Sequence, residues 1–242
     1  MLPCGTGWQA RELSAVKRWL ERQFALLEEC TLQVKKYKHY VSLGFNCEVS
    51  FALESVGLFE SSLFSWADVR GTDSVIYGIE NPEKILSGRI VDYSGNMFFC
   101  ENARVGFHGK TAFEEMKDSE GVLDQAKRDE SLTELKGRVA FLHSKLRKIL
   151  AEGSCLFIVK HFSDIFAEKY SWDESAELVA AALGRFAPGA SFDLLYVVEG
   201  SKPETIIDTP HLFVRSIPKF SPRSAAKEID RAAWATMLAE FV

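Results

Sequence analysis

The sequence contains no apolar run approaching the roughly 20 residues that a membrane-spanning helix needs. Basic charge is not in excess. Its 29 Lys+Arg face 34 Asp+Glu for a formal net charge of −5, which argues against a dedicated nucleic-acid binder. Cysteine is sparse: Cys4, Cys30, Cys47, Cys100 and Cys155 are odd in number and scattered, and no two form a CxxC. That usage suits free thiols in a reducing cytoplasm, and for most of them the simplest role is a small buried hydrophobe. No Gly-x-Gly-x-x-Gly follows a strand and no GxxxxGK[ST] occurs, so nucleotide phosphates lack their usual cradle. Neither an HExxH nor a Cys/His cluster supports a metal site, and no cofactor is expected. The N-terminus lacks a basic segment followed by an apolar one, so no secretory signal is expected either.

At 242 residues and 47% hydrophobic, the chain can bury a sizeable core and is too apolar to be disordered. Residues 8–36 have the spacing of an amphipathic helix, with Leu13, Val16, Leu20, Phe24 and Leu27 recurring every three or four residues. This extension, residues 1–38, is expected to pack on the domain or to reach a protein partner. Residues 39–242 are expected to form one domain. Tyr40–Gly44 is a short strand, and Val49, Ala52, Leu53 and Val56 form a helix ended by Gly57. Short strands are expected at Ile90–Tyr93, Asn96–Cys100 and Ala103–His108, after helices around Asp73–Ile79 and Pro82–Leu86. Beyond them, helices at Leu132–Ala151, Asp173–Phe186 and Ala225–Phe241 alternate with strands at Cys155–Val159, Phe192–Val198 and His211–Arg215. Such alternation predicts an α/β fold, a mixed and largely parallel sheet flanked by helices.

The segment richest in chemistry is Tyr40-Val-Ser-Leu-Gly-Phe-Asn-Cys47. A thiol reacts as its thiolate, and the positive end of a helix lowers a thiol pKa while offering free N–H groups to an oxyanion. Cys47 therefore has a physical reason to be a nucleophile. Asn46 could cap the helix or donate its amide to an oxyanion. The alternative is a small buried cysteine on a helix face. Among the five histidines, His108 ends a strand from which a base can be aimed across a cleft, and His161 follows another strand. His39 and His143 read as surface residues, and the Asp208/His211 spacing fits an esterase only in isolation.

Tyr40-Val-Ser-Leu-Gly-Phe-Asn-Cys47, Phe51-Ala-Leu-Glu-Ser-Val-Gly-Leu58, Leu63-Phe-Ser-Trp66, His108 and the helix from Arg138 together resemble a mostly bacterial family of papain-like cysteine peptidases of otherwise unknown function. The resemblance spans roughly residues 39–200. It implies a thiol-dependent hydrolase or acyltransferase acting on a peptide, amide or acyl substrate, with Cys47 as nucleophile and His108 as general base. It leaves the third member open, with Asp164 first and His161 next, and it brings a papain-like α+β fold as the alternative architecture. Two positions depart from the family pattern: Ser65 replaces an acidic residue in the tryptophan box, and Gly109 follows the histidine where Asp is common. These departures support a second reading, a non-catalytic binding module on a degenerate peptidase scaffold. Phe64 and Trp66 are expected to be buried beneath the Cys47 helix.

Overall fold

The structure is a computed structural model and describes residues 36–161, 169–200, 208–209, 211–222 and 225–242. The expected N-terminal helix, apart from Lys36, lies outside the described residues, as do Cys4, Cys30 and Asp164. In chain order the elements are β1 (His39–Ser42), α1 (Glu48–Ser55), β2 (Ala67–Val69), α2 (Thr72–Glu80), β3 (Ile90–Asp92), β4 (Met97–Cys100), β5 (Val105–His108), α3 (Gln125–Glu152), β6 (Cys155–Lys160), α4 (Trp172–Phe186), β7 (Phe192–Glu199), β8 (Asp208–Thr209), β9 (Leu212–Ile217) and α5 (Arg231–Leu238). Short 3₁₀ turns sit at Pro82–Lys84, Phe113–Met116 and Ala239–Phe241.

The main sheet has the order β1-β6-β7-β9-β8. Its first four strands run parallel, and β8 is antiparallel at the edge. The α/β expectation is met here: helices cover both faces. Val41, Phe157, Val159, Leu194, Tyr196 and Val214 point into a core shared with Val139 and Leu146 of α3 and with Ala176, Val179 and Leu183 of α4. The alternate residues, such as Tyr40, Leu156, Ile158 and Leu195, are equally buried on the opposite face. There α1 and α5 supply Val49, Leu53, Trp234 and Leu238. A strand covered on both sides reads as a continuous apolar run, and Cys155–Lys160 is buried at every position.

A second sheet was not foreseen as a separate layer. It is antiparallel, in the order β2-β5-β4-β3. The residue period of two divides its faces. Ala67, Val69, Phe98, Cys100, Val105 and Phe107 enter the common core. Asp68, Met97, Phe99, Gly106 and His108 share the other face by register.

The element boundaries have local causes. α3 begins seven residues before the expected Leu132 because Asp124 caps it, accepting from the N–H groups of Ala126 and Lys127. Its first turns carry no apolar stripe, so periodicity could not reveal them. α5 starts at Arg231 rather than near Ala225, capped by Asp230. The residues freed from the helix, 225–228, turn instead and border a cleft.

Candidate active site

The turn between β1 and α1 is built around Gly44, whose φ of 92° is left-handed. A Cβ there would lie 2.6 Å from Val69 Cγ2, so both conformation and close approach to β2 require glycine. Phe45 is also left-handed, with φ 83°, and its carbonyl accepts the Val69 N–H at 3.0 Å. A bulky residue held at positive φ marks local backbone strain, and here it sits two residues before Cys47. Asn46 Oδ1 accepts the Glu48 N–H at 3.1 Å, while its Nδ2 is buried without a hydrogen-bond partner. Cys47 occupies the N-cap of α1, and its Sγ forms no hydrogen bond among the described residues.

Across the cleft stands His108, at the end of β5. Its Nδ1 lies 2.7 Å from Asn96 Oδ1, and Asn96 Nδ2 donates to the Gly109 carbonyl at 2.7 Å. A carbonyl can only accept, so Gly109 fixes which way the Asn96 amide points. Asn96 then presents oxygen to Nδ1, which must carry the proton, and Nε2 is left as the basic nitrogen. Arg138 of α3 braces the same strand end by donating to the His108 carbonyl. Gly109 itself has no room for a side chain. A Cβ there would meet Phe98 Cε2 at 2.8 Å, Ser131 Oγ at 3.1 Å and Asn96 O at 3.2 Å.

Asn46, Cys47, Asp68 and His108 line one cleft of about 990 Å³, together with Phe51, Tyr93, Met97, Pro222 and residues 225–228. Asp68 pairs with Gly106 in the β2–β5 ladder, which places it diagonally from His108 on the same face. Its carboxylate, 3.6 Å from Arg70 Nε, acts on both reactive groups. Burial pulls the His108 imidazole below its ordinary value, with Asp68 opposing and Arg138 adding to the fall. The Cys47 thiol is pushed up to about 11 by burial and then by Asp68, with Lys227 opposing. This corrects the expected helix-lowered thiol. α1 is a short helix, and its partial positive end is outweighed by desolvation and a nearby carboxylate. Burial thus favours the neutral form of both groups.

Beneath Cys47 lies a buried ion pair. Lys160, 1% exposed, bonds Glu48 Oε2, and Glu48 is fully buried. Glu48 Oε1 accepts from the Ser221 N–H at 3.2 Å and from Trp234 Nε1 at 3.1 Å. The Lys160 ammonium also sits over the rings of Phe45 (4.7 Å) and Phe220 (4.5 Å). This cluster joins α1, the end of β6, Ser221 and α5.

The chain matches no protein-family model, no curated protein and no solved structure. The remaining candidates therefore stand on geometry alone. His161 does not line the cleft; its Nδ1 is 2.9 Å from the Tyr196 hydroxyl. His39 lies between Glu60 and Glu152 at the start of β1, and His143 accepts from Arg147 on the outer face of α3. His211 Nδ1 sits 3.0 Å from Asp193 Oδ1 before β9, at the strand ends opposite Cys47. Cys100 and Cys155 are buried strand residues, as small hydrophobes are. Ser65 is buried and satisfied by Ser62, so no polar group of the tryptophan box reaches the cleft. Phe64 is buried as expected, but Trp66 is 37% exposed and packs sideways on Phe51 and Phe59. Asp68, Asn96, Glu48 and Lys160 were missed. None of the four carried a periodic signal in the sequence. Among the described residues no His, Cys, Asp and Glu group could hold a metal ion, and no helix is long and apolar enough to cross a membrane.

Proposed function

We propose that the chain is a thiol-dependent acyl-transfer enzyme, a hydrolase of peptide, amide or ester bonds or an acyltransferase. The observation that carries this reading is one cleft lined by a helix-capping cysteine, a histidine tied through Nδ1 to Asn96, and the orphaned donor of Asn46. A cysteine, a histidine and an amide that orients it recur as a working set on unrelated folds. Asn96 takes the orienting role for which Asp164 was the first sequence candidate.

In the proposed cycle, His108 Nε2 takes the Cys47 proton as sulfur attacks the substrate carbonyl. A C–S bond forms, and the carbonyl oxygen gains charge that Asn46 Nδ2 and the first amides of α1 receive. His108 then gives its proton to the leaving amine or alkoxide as the C–N or C–O bond breaks. Water or another acceptor attacks the thioester, giving its proton to His108, and Cys47 leaves as the thiol.

A raised thiol pKa with no hydrogen bond to His108 favours a second reading, the binding module on a degenerate scaffold. p-Nitrophenyl acetate separates the two. The enzyme reading expects one acetyl group on Cys47 by intact mass, lost in Cys47→Ala and slowed about a hundredfold or more in His108→Ala, the lower range of a lost general base. Acetylation spread over several cysteines, unaffected by His108→Ala, would leave the binding module.

A further inference from the structure

We infer that the cleft holds a carbonyl compound with an uncharged, apolar arm, its oxygen on Asn46 and its arm on a wall formed by Phe51, Met97 and Tyr93. The inference rests on the acyl-transfer reading only in taking Cys47 as the end where reaction occurs. Asn46 is 6% exposed, lines the cleft and has an Nδ2 with no partner. A buried donor left unpaired costs stability, so a ligand that supplies an acceptor oxygen gains what the free chain lacks.

The apolar wall extends from both reactive residues. Phe51 follows Cys47 by four residues and so lies on the same helix face one turn further along. Its ring is braced edge-on by Trp66 at 5.1 Å. Met97 is the direct cross-strand partner of His108. Tyr93, on the same hairpin as Asn96 and Met97, donates its N–H to the Met97 carbonyl at 2.8 Å. Its ring is 46% exposed, yet it is held in place by the Arg70 guanidinium at 4.7 Å from its centroid and by Phe99 at 6.0 Å. Ala67, Pro222, Ala225 and Ala226 complete the apolar part of the lining. Such a surface suits an apolar group fixed at one end by a few polar contacts. Asp68 and Glu228 outnumber Lys227, whose ammonium lies 5.9 Å from the Phe51 ring centroid, so the net charge of the lining disfavours an anionic arm.

Alkylation of the full chain at pH 9 tests this without requiring turnover. Iodoacetamide, N-hexyl iodoacetamide, N-benzyl iodoacetamide and iodoacetate are compared at Cys47 by peptide mass spectrometry, each rate divided by that of glutathione. Each buried methylene is worth roughly fourfold, so the hexyl reagent should gain at least tenfold over iodoacetamide. An equal gain with benzyl indicates a side-chain-like arm, and a gain confined to hexyl indicates an acyl-like chain; either supports the inference. Tyr93→Ala should cut the gain severalfold, and Tyr93→Phe should keep it, because the ring and not the hydroxyl makes the wall. No gain over glutathione, a gain untouched by Tyr93→Ala, no labelling of Cys47 by any reagent, or fastest labelling by iodoacetate would each overturn it. Loss of acetylation with the hexyl gain intact would sink the enzyme reading alone.

Discussion

The Glu48–Lys160 pair offers a quantitative test of how the site is held. Glu48 is an acceptor on both oxygens: Oε2 faces the Lys160 ammonium, and Oε1 takes the N–H groups of Ser221 and Trp234. Glu48→Gln replaces one acceptor oxygen with an NH₂ group. Whichever way the amide turns, a donor then faces a donor. Lys160→Met leaves a carboxylate buried with only two neutral donors. Either change breaks a buried pair on one side, which typically costs about 3–5 kcal/mol. Replacing both partners together removes the uncompensated charge, so Glu48→Leu/Lys160→Met should lose less than the sum of Glu48→Leu and Lys160→Met. The coupling should be on the order of 2 kcal/mol, within the range for contacting residues. Urea unfolding followed by far-UV circular dichroism measures the cycle, and each single change should lower the melting temperature by on the order of 10 °C. The Lys160 ammonium is already pulled below its ordinary value by burial, with Glu48 opposing. Without Glu48 it should lose its proton sooner, so Glu48→Gln should be less damaging at pH 9 than at pH 7. Single-mutant losses below about 1 kcal/mol, or an additive double mutant, would refute the claim that this pair clamps α1 to the end of β6.

Three further outcomes follow from the cleft. Because the Cys47 thiol is held up to about 11, its alkylation by iodoacetamide should rise about tenfold per pH unit from pH 7 to pH 10, and a plateau near pH 8 would contradict the burial argument. The same raised pKa contributes stability that is present below the unfolded thiol's value and lost as pH rises from about 9 through 11, so the urea midpoint should fall less steeply over that range in Cys47→Ala than in the parent. Gly106 lies under Met97 and Phe99, where a Cβ would come 2.5 Å from Met97 Sδ and 3.2 Å from Phe99 Cδ2. Gly106→Ala should therefore cost about 1–3 kcal/mol and displace Met97 from beside His108; an unchanged thermal melt would show that Met97 swings aside freely.

The α/β core was legible in the sequence because its strands are buried on both faces and its helices present one apolar stripe. Val159 and Leu194, or Val179 and Leu183, announce their roles through runs and spacing that any core of this kind requires. The turn before Cys47 was legible for a similar reason: Gly44 between a strand and a helix signals a backbone that only glycine adopts easily. The other half of the site was decided by tertiary structure. His108 could be nominated from its place at a strand end, but the residue that orients it could not. Asn96 sits 12 positions away in a hairpin turn and becomes a partner only through the β4–β5 register. Asp68 lies in a strand of three residues, too short for any periodic signal, and reaches the cleft because its ladder partner is Gly106. Glu48 and Lys160 read as ordinary charges in the sequence, and folding brings them together from 112 residues apart into a buried site. The thiol pKa followed the same rule. A helix terminus is a local feature that sequence can reveal, whereas desolvation and a carboxylate delivered by another sheet depend on the whole fold, and here they outweigh it.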